Sequence, residues 1–545
     1  MLSIASARRA LALGAILVSL VSAAGCSRSG STQSGGALTI ALPIAPNTLD
    51  PILSTTSSEA FLNELFFPEL TAHDARHHLI PMLATEVPTL ANHDISADGK
   101  TIVYHLRTNA VWSDGQPITS RDVKFTYDAI MNPANTVVSR HGYDAIASIA
   151  TPDAHTVVLH MKKVFPPLID SFFGEGENVY GILPAHVLAK YPNLNNVPFN
   201  GEPSVTGGPY RFAEWVRGDH LLAVANPNYY LGAPKIKRIV VKIITDTNTT
   251  IAQLHTGEIQ LAIELTGPQY KNLASDGRVT RLAVNEPSYD GLMFNLGRAP
   301  LGDRAVREAL ADATDRATIM RDNEFGDATL GVADLSPFYW AFDPKLRAQP
   351  YDPARAKALL EGDGWKAGPD GVRAKNGKRL SLLLVYGQGS DIARNIVVQL
   401  QQMWRAVGIE LQPKSYPYSQ LYAPAASGGV FYGGKYDVGF YAWLSGGDPD
   451  DSSQWTTAAF PPAGNNVTHY SSPTMDALQR VALSTFDRTI RAKAYAKIQA
   501  LIVGDVPALF LFYPKERYAY APTLHGFAPN GIVESWNVQD WSLGE

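Results

Sequence analysis

The chain has 545 residues, of which 45% are hydrophobic and 18% are charged, and its formal net charge is −5. At about 100–200 residues per domain, this length predicts two to four domains with sizeable cores. Because the totals show no basic excess, they argue against nucleic acid as a partner. The 9 Trp, 24 Tyr and 20 Phe fit either a large core or an aromatic-lined pocket.

The N-terminal segment has the pattern of an export signal. Arg8-Arg9 precede an apolar run from Ala10 to Val21, which is too short to span a bilayer core of ~30 Å. The following Ala23-Ala24-Gly25-Cys26 resembles a lipobox, in which cleavage before the cysteine leaves its thiol to carry lipid. We therefore predict a signal peptide at residues 1–25, and a lipidated Cys26 with a flexible tether at residues 26–36. Cys26 is the chain's one cysteine, so no disulfide or thiol nucleophile is expected.

The segment from Thr101 to Asn132 combines a strand, a turn and a helix. Alternating apolar residues predict a half-buried strand at residues 102–106, and Asp114-Gly115 predicts a turn. Thr119 or Ser120 is suited to cap the helix that follows. Its apolar face has the spacing i, i+4, i+7 and consists of Val123, Tyr127 and Ile130.

The second half of the chain alternates strands and helices. A strand is predicted at Leu380 to Tyr386, a helix with an apolar stripe at residues 392–407, and another strand from Ile409. This order with short links predicts a βαβ unit with parallel strands. A strand at Tyr436 to Trp443 and two helices near residues 474–503 follow, so the predicted fold class is α/β.

The sequence offers no recognisable catalytic or metal-binding motif. It contains no G-x-S-x-G elbow, P-loop or H-E-x-x-H string, so a secreted hydrolase is an alternative without positive support. Asp450 and Asp451 lie in a Gly/Pro-rich loop and are expected to be solvated. His73, His77 and His78 match no ligand spacing for zinc, and a solvated loop is expected there. No metal site and no cofactor are predicted.

Four strings resemble the family-5 extracellular solute-binding proteins, which are the receptors of bacterial ABC importers for oligopeptides, dipeptides and nickel. The longest is Y-x-L-R-x-x-A-x-W-S-D-G-x-P-I-T-x-x-D-V-x-F-T-Y, from Tyr104 to Tyr127. The others are N-T-L-D-P at residues 47–51, T-G-G-P-Y-R-F at residues 206–212, and N-x-x-x-x-P-L-x-D-x-x-V-R-x-A-L at residues 295–310.

The resemblance implies a two-lobed α/β fold of the periplasmic-binding-protein kind (type II, cluster C). Lobe I is expected to comprise residues 37–265 and 512–545, with an inserted subdomain at about residues 60–187. Lobe II is expected to comprise residues 266–511. The chain would then cross between the lobes near Leu265 and near Phe512, and two crossings make a hinge.

The resemblance also implies a function and its partners. The chain is expected to be a receptor and not an enzyme, to capture a small solute, with a peptide as the leading candidate, and to deliver it to the transmembrane subunits of an ABC permease. It is expected to be a monomer, exported and lipid-anchored on the outer side of the cytoplasmic membrane. The alternative is a receptor of the same fold for a blocked peptide, a sugar, a metal chelate or haem. An exported chaperone or adhesin has no dedicated feature in the sequence.

Family-matched positions supply the candidate ligand-binding residues. These are Tyr289, Asp290, Gly291 and Leu292 in one segment, and Tyr441, Trp443, Ser445, Gly446 and Asp448 in another. Peptide-binding relatives carry an aspartate three residues after this tryptophan, where it pairs with the peptide's α-amino group, but here the position is Gly446. Either Asp448 substitutes for that aspartate, or the ligand has no free α-amine. We favour the second, because Pro449 restricts Asp448.

Overall fold

The computed structural model describes residues 36–176 and 178–544. The predicted signal peptide, Cys26 and most of the tether lie outside these residues, so those expectations stay predictions. Within the described ranges, no helix combines the length and the apolar character needed to cross a membrane.

Strands and helices alternate along most of the described chain. The strands are β1 Ala37–Leu42, β2 Thr71–His73, β3 Leu79–Pro81, β4 Thr101–His105, β5 Ile146–Asp153, β6 Thr156–Met161, β7 Tyr210–Val216, β8 His220–Ala225, β9 Arg238–Ile243, β10 Leu261–Ala262, β11 Thr280–Asn285, β12 Ser288–Phe294, β13 Thr329–Leu330, β14 Lys366–Ala367, β15 Arg373–Lys375, β16 Lys378–Arg379, β17 Ser381–Gly387, β18 Glu410–Tyr416, β19 Val438–Leu444, β20 Ala508–Tyr513, β21 Lys515–Tyr520, β22 Leu524–His525 and β23 Ser542–Leu543. The helices are α1 Ser57–Phe66, α2 Ser120–Met131, α3 Leu168–Ser171, α4 Ala185–Leu188, α5 Thr247–Thr256, α6 Gly267–Asn272, α7 Arg304–Asp312, α8 Arg316–Glu324, α9 Pro353–Gly362, α10 Asp391–Arg405, α11 Tyr418–Leu421, α12 Ser452–Trp455, α13 Pro473–Ala482 and α14 Arg488–Asp505.

The first large sheet has the strand order β11-β21-β10-β1-β9-β8-β7. Strand β1 lies in its middle and pairs in parallel with both β9 and β10. All six residues of β1 are buried, as expected for a strand that is covered on both faces. Parallel pairing with helices between the strands confirms the predicted α/β class.

A separate three-stranded sheet, β4-β6-β5, lies within the predicted inserted subdomain. The strand, turn and helix predicted from residue 101 onwards are confirmed as β4 and α2. Thr119 is the N-cap residue, and its backbone N–H donates a hydrogen bond of 2.8 Å to the Asp122 carboxylate. Tyr104 and Trp112 of this part share one hydrophobic core with Leu38 of β1. The subdomain is therefore packed firmly onto the first sheet.

The second large sheet has the order β13-β20-β12-β19-β17-β18. Strands β17 and β18 pair in parallel and are joined by α10, which confirms the predicted βαβ unit. The sequence of strand β20 is a continuous apolar run because both faces of this sheet are covered. Its Leu509 and Leu511 enter the core on one face, and its Phe510 enters the core on the other.

The chain passes between the two large sheets at two places that differ from the expected ones. Strand β11 pairs with β21 in the first sheet, so the first passage is Glu286-Pro287, between β11 and β12. The first passage therefore lies about 20 residues beyond the crossing expected near Leu265, because β11 at Thr280–Asn285 still pairs within the first sheet. The return passage is Pro514, between β20 and β21, two residues beyond the expected Phe512.

Candidate ligand-binding site

A cavity of about 270 Å³ lies between the inserted subdomain and the second sheet. One wall comes from residues 139–180 and the other from residues 443–465. Aromatic, hydroxyl, amide and carboxylate groups line it together. A concave site of mixed polarity between two parts of a fold is the usual setting for a small-molecule ligand.

Strand β19 builds the second-sheet wall and ends at the cavity. Because side chains two residues apart share a face, Tyr441 and Trp443 stack with 6.1 Å between ring centroids and an interplanar angle of 11°. Tyr441 is buried behind the wall, whereas Trp443 lines the cavity. The indole N–H of Trp443 is buried and finds no acceptor among the described residues. It is thus available to donate a hydrogen bond to a ligand.

The nine predicted site residues divide into two groups. Trp443, Ser445, Gly446 and Asp448 line the cavity. Tyr289, Asp290, Gly291, Leu292 and Tyr441 lie outside its lining, since β12 pairs with β19 from within the sheet.

The β12 residues have structural roles where they lie. The Tyr289 hydroxyl donates to the Gln454 side chain beneath the cavity, and Leu292 packs in the core. A side chain at Gly291 would meet the Leu509 carbonyl at 2.9 Å. Burial, with the like charges of Glu324 and Glu286, raises the pKa of Asp290 to about 8. These contacts fix β12 under the site.

The subdomain wall is held in place by tyrosine hydroxyls. Tyr143 is buried; its hydroxyl donates to the Ser171 carbonyl at 3.1 Å and accepts from the Phe173 backbone N–H at 3.0 Å. The Tyr180 hydroxyl donates to the Ser139 carbonyl at 2.8 Å. Both tyrosines line the cavity together with Phe165, so this wall is aromatic and rigid.

The carboxylate of Asp170 lines the cavity and is already paired. His73 Nε2 lies 3.0 Å from Asp170 Oδ1, and His73 Nδ1 lies 3.0 Å from Glu175 Oε2. Burial alone would lower the pKa of His73, but the hydrogen bonds to Asp170 and Glu175 raise it to about 10. His73 is thus a buried cation at neutral pH, with 2% of its surface exposed. The solvated loop expected around the three histidines is wrong for His73.

Asp448 is held by a buried arginine. Arg491 Nη1 and Nη2 bind Asp448 Oδ2 and Oδ1 at 2.7 and 2.6 Å, and the exposed fractions of the two residues are 4% and 7%. Burial raises the pKa of Asp448 to about 6, against the opposing effect of Arg491, and the carboxylate remains ionised at neutral pH. Because both oxygens are engaged, Asp448 is not available as a substitute anchor for a ligand amine.

Asp450 is the cavity carboxylate without a cationic partner. Its Oδ1 accepts a hydrogen bond of 3.0 Å from the Ser452 backbone N–H, and no described Lys, Arg or His lies within ion-pair distance. It is half-buried and lines the cavity, whereas its neighbour Asp451 is 4% exposed and accepts from the Gln479 side chain at 2.6 Å. The expected solvation is therefore wrong for Asp451.

The two walls touch next to the cavity. The Gly447 backbone N–H donates to the Glu175 carbonyl at 3.0 Å. A Cβ atom at Gly447 would lie 2.2 Å from His73 Cε1, so this contact needs a glycine. Further out, the ring of His77 stacks on Phe338 at 4.1 Å, and its Nδ1 lies 2.9 Å from the Phe338 carbonyl. The two walls are therefore in direct contact at the edge of the cavity.

Sequence reasoning missed the subdomain wall and Asp450. Tyr143, Phe165 and Tyr180 lie in segments with no motif, and they meet the second wall only through the fold. Asp450 is part of the D-P-D-D string, whose Gly/Pro-rich surroundings predict a solvated side chain. Its position two residues after the conspicuous Asp448 was the available signal.

Comparison with known proteins identifies the family. The model described as "Bacterial extracellular solute-binding proteins, family 5 Middle" matches residues 78–465, which include most of the subdomain and both cavity walls. The chain belongs to the family-5 bacterial extracellular solute-binding proteins. It is therefore a solute-binding receptor and not an enzyme, and the resemblance carried by the sequence strings is confirmed.

Relatives of this family-5 protein match almost its whole length. Oligopeptide-binding protein AppA from Bacillus subtilis (strain 168) is 26% identical over 524 residues, 95% of this chain and 93% of AppA. Protein XP55 from Streptomyces lividans is 29% identical over 534 residues, 96% of this chain and 92% of XP55. A crystal structure of NikZ from Campylobacter jejuni in complex with Ni(L-His) has a TM-score of 0.75 at 27% identity, covering 93% of this chain and 99% of NikZ. The two-lobed fold is confirmed by this likeness.

Proposed function

We propose that this family-5 protein is the receptor of an ABC importer and captures a peptide in the cavity between residues 139–180 and 443–465. The observation that carries the proposal is the cavity itself. It lies between the inserted subdomain and the second sheet, within the segment that matches the family, and its walls carry both aromatic rings and an indole N–H without an acceptor among the described residues. The likeness to oligopeptide-binding protein AppA supports a peptide as the solute.

Two groups in the cavity match the chemistry of a peptide. The indole N–H of Trp443 is suited to a backbone carbonyl, because it is buried without an acceptor. The carboxylate of Asp450 is suited to an ammonium group, such as the peptide's α-amine or a lysine side chain. Asp450 would thus supply the charge that relatives place at the position of Gly446.

Capture would involve closure of two lobes about the two passages. In this proposal lobe I comprises residues 37–286 and 514–545, with the subdomain inserted at about residues 60–187, and lobe II comprises the residues between. Opening would break the Gly447–Glu175 hydrogen bond and the His77–Phe338 stack, and would expose the cavity. A closed, loaded form is one that a permease can distinguish from the open form.

The proposed receptor works outside the cytoplasm, next to its permease. Membership of an extracellular family supports export. Lipid on Cys26 would anchor the chain on the outer side of the cytoplasmic membrane, and the tether at residues 26–36 would let it reach the transmembrane subunits. The receptor would act there as a monomer.

A nickel chelate is the second candidate ligand. NikZ was solved with Ni(L-His), and one imidazole, that of His141, is present in the lining of this cavity. An imidazole is a good nickel ligand, although the adjoining aromatic wall serves a peptide equally well.

A competition between the two ligand classes tests the proposal. The protein is incubated with a casein digest, unbound material is removed, and the retained peptides are identified by mass spectrometry and titrated by calorimetry. We expect about one retained peptide per protein, and no heat of binding when a preformed complex of Ni²⁺ with L-histidine is titrated into the protein. Retention of no peptide, with saturable binding of nickel-histidine, would contradict the proposal.

A matched pair of variants tests whether the peptide binds in the cavity. Trp443→Phe keeps an aromatic ring but removes the N–H. We expect it to lower the affinity for the retained peptide by about 2- to 12-fold, which corresponds to the loss of one hydrogen bond of ~0.5–1.5 kcal/mol. Trp215→Phe, on a strand remote from the lining, serves as the control and should leave the affinity unchanged.

A further inference from the structure

Three buried glutamates from distant parts of the chain meet in the first lobe. Glu64 lies in the last turn of α1, Glu69 lies three residues after that helix ends, and Glu175 lies between α3 and α4. Each offers a carboxylate oxygen, and these oxygens all lie within 4.8 Å of one another. The exposed fractions are 7%, 6% and 0%, so the three charges are removed from water. Because more than a hundred residues separate Glu69 from Glu175, no local sequence motif predicts this group.

The protein neutralises one of these charges. The cation next to the group is His73, which lies between Glu175 and Asp170 and is shared by those two carboxylates. Asn530 Nδ2 also donates to Glu175, at 2.8 and 2.9 Å. Glu175 is thus satisfied, but no described cationic side chain pairs with Glu64 or Glu69.

The other two glutamates each present an oxygen with no partner. Glu64 Oε2 accepts from the Ser535 hydroxyl at 2.6 Å, but Glu64 Oε1 and Glu69 Oε1 are buried and bind nothing among the described residues. Buried polar atoms without a partner are rare, and each costs about 1–3 kcal/mol. Because no described cationic side chain pairs with either glutamate, the site as folded lacks positive charge.

A small cavity opens onto these oxygens. Its volume is about 20 Å³, and its lining includes Glu64, Glu69, Ser535 and the neighbouring Tyr229 and Tyr230. A cavity needs about 10–15 Å³ to hold one water-sized particle, so there is room for a single ion. These five side chains, half of the lining, offer oxygen atoms, which are the ligands of hard cations, and the other lining residues are Phe67, Ala72, Met82, Pro209 and Trp536.

We propose that this cluster binds one Ca²⁺ ion, with Glu64, Glu69 and Glu175 as its carboxylate ligands. Calcium lies about 2.3–2.6 Å from its oxygen ligands, so oxygens up to about 4.8 Å apart are able to share one ion. Calcium also accepts irregular geometry, whereas Mg²⁺ requires a near-octahedral shell with several waters, for which 20 Å³ leaves no room. The ion would tie α1 to the subdomain wall behind the solute cavity. The proposal does not depend on which solute that cavity holds.

Thermal unfolding of the full chain tests the site. Protein treated with EDTA and dialysed is titrated with Ca²⁺ alone, and we expect a saturable rise in Tm with one bound calcium per chain by elemental analysis. Glu69→Gln should abolish the rise, since it removes a ligand charge but keeps the shape. Glu264→Gln should retain it, because Glu264 also has a buried, unpartnered Oε1 but lies outside the cluster.

A second readout keeps the test valid if Glu69→Gln does not fold. Tb³⁺ takes the same oxygen ligands, and its emission on the wild-type protein, sensitised by Tyr229 and Tyr230, should saturate at one equivalent and be displaced by Ca²⁺. Glu64→Gln serves as the second variant and should abolish this emission. A Tm that does not respond to Ca²⁺, or a response that persists in both Gln variants, would overturn the proposal. Equal stabilisation by Mg²⁺ would overturn the choice of calcium.

Discussion

Asp448 and Asp450 lie two residues apart in one cavity wall, and we predict that substitution of Asp448 lowers the stability of the fold whereas substitution of Asp450 lowers the affinity for the ligand. Asp448→Asn removes the charge that Arg491 binds through two hydrogen bonds. Breaking one partner of a buried ion pair typically costs ~3–5 kcal/mol. Arg491 keeps its hydrogen bond to the Ala482 carbonyl, so we expect the lower end, a loss of about 3 kcal/mol in the free energy of unfolding.

Asp450→Asn should leave the fold intact and act on the ligand. Asp450 is half-buried and has no cationic partner among the described residues, so its substitution should change the unfolding free energy by less than about 0.5 kcal/mol. Losing a charge-assisted hydrogen bond to a ligand ammonium costs about 1.5–3 kcal/mol of binding free energy, which is roughly a 10- to 150-fold loss of affinity.

The assay combines chemical denaturation with calorimetry on a matched peptide pair, one with a free α-amine and one N-acetylated. Wild type and Asp448→Asn should prefer the free peptide, and Asp450→Asn should bind both equally. The reasoning fails if Asp448→Asn unfolds like the wild type and is the variant that loses the preference. If wild-type protein binds both peptides equally, Asp450 is not an amine anchor and the ligand is recognised without its α-amine.

Three further results are expected. Gly447→Ala should lower the affinity for the peptide by about 5- to 150-fold and prevent the ligand-induced decrease in radius of gyration, because the added Cβ clashes with the His73 ring, an overpacking that costs ~1–3 kcal/mol. Gly277→Ala, whose added Cβ meets open space, is the control. A contraction of Gly447→Ala like that of the wild type would contradict the closure contact. The pKa of His73 is raised from 6.5 to about 10, so its contribution to stability is full below pH 6.5 and is lost as the pH rises through about 10. Between pH 7 and 10 the unfolding free energy should fall by about 3 kcal/mol more in wild type than in His73→Gln, measured by urea denaturation, and equal slopes would show that His73 is neutral. Cys26→Ser should move the protein from the membrane fraction to the soluble fraction, and a variant that still pellets with membranes would contradict the lipobox.

The second-sheet wall could be predicted from sequence because it is local. Trp443, Ser445, Gly446 and Asp448 lie within six residues at the end of one strand, at positions that match the family. The alternation of β4 and the stripe of α2 were equally local, and both elements formed as predicted. Patterns of period 2 and 3.6 describe single elements well.

The rest depends on contacts between distant residues. Arg491 lies on α14, 43 residues after Asp448, and nothing near either residue announces the pair. Strand β11 joins the first sheet by pairing with β21, whose sequence lies more than 200 residues later, so the position of the first passage was not readable locally. The same holds for Glu64, Glu69 and Glu175, which are brought together by packing alone.

Native mass spectrometry of the protein as purified tests the central claim most directly. We predict a population that carries one additional small mass per chain, which is released on denaturation and fragments as a peptide. The population should fall in Trp443→Phe, since the indole N–H in the cavity is lost. A released mass that fragments as a sugar or a metal chelate, or a chain that remains unliganded even after incubation with a casein digest, would contradict the claim that this cavity captures peptides.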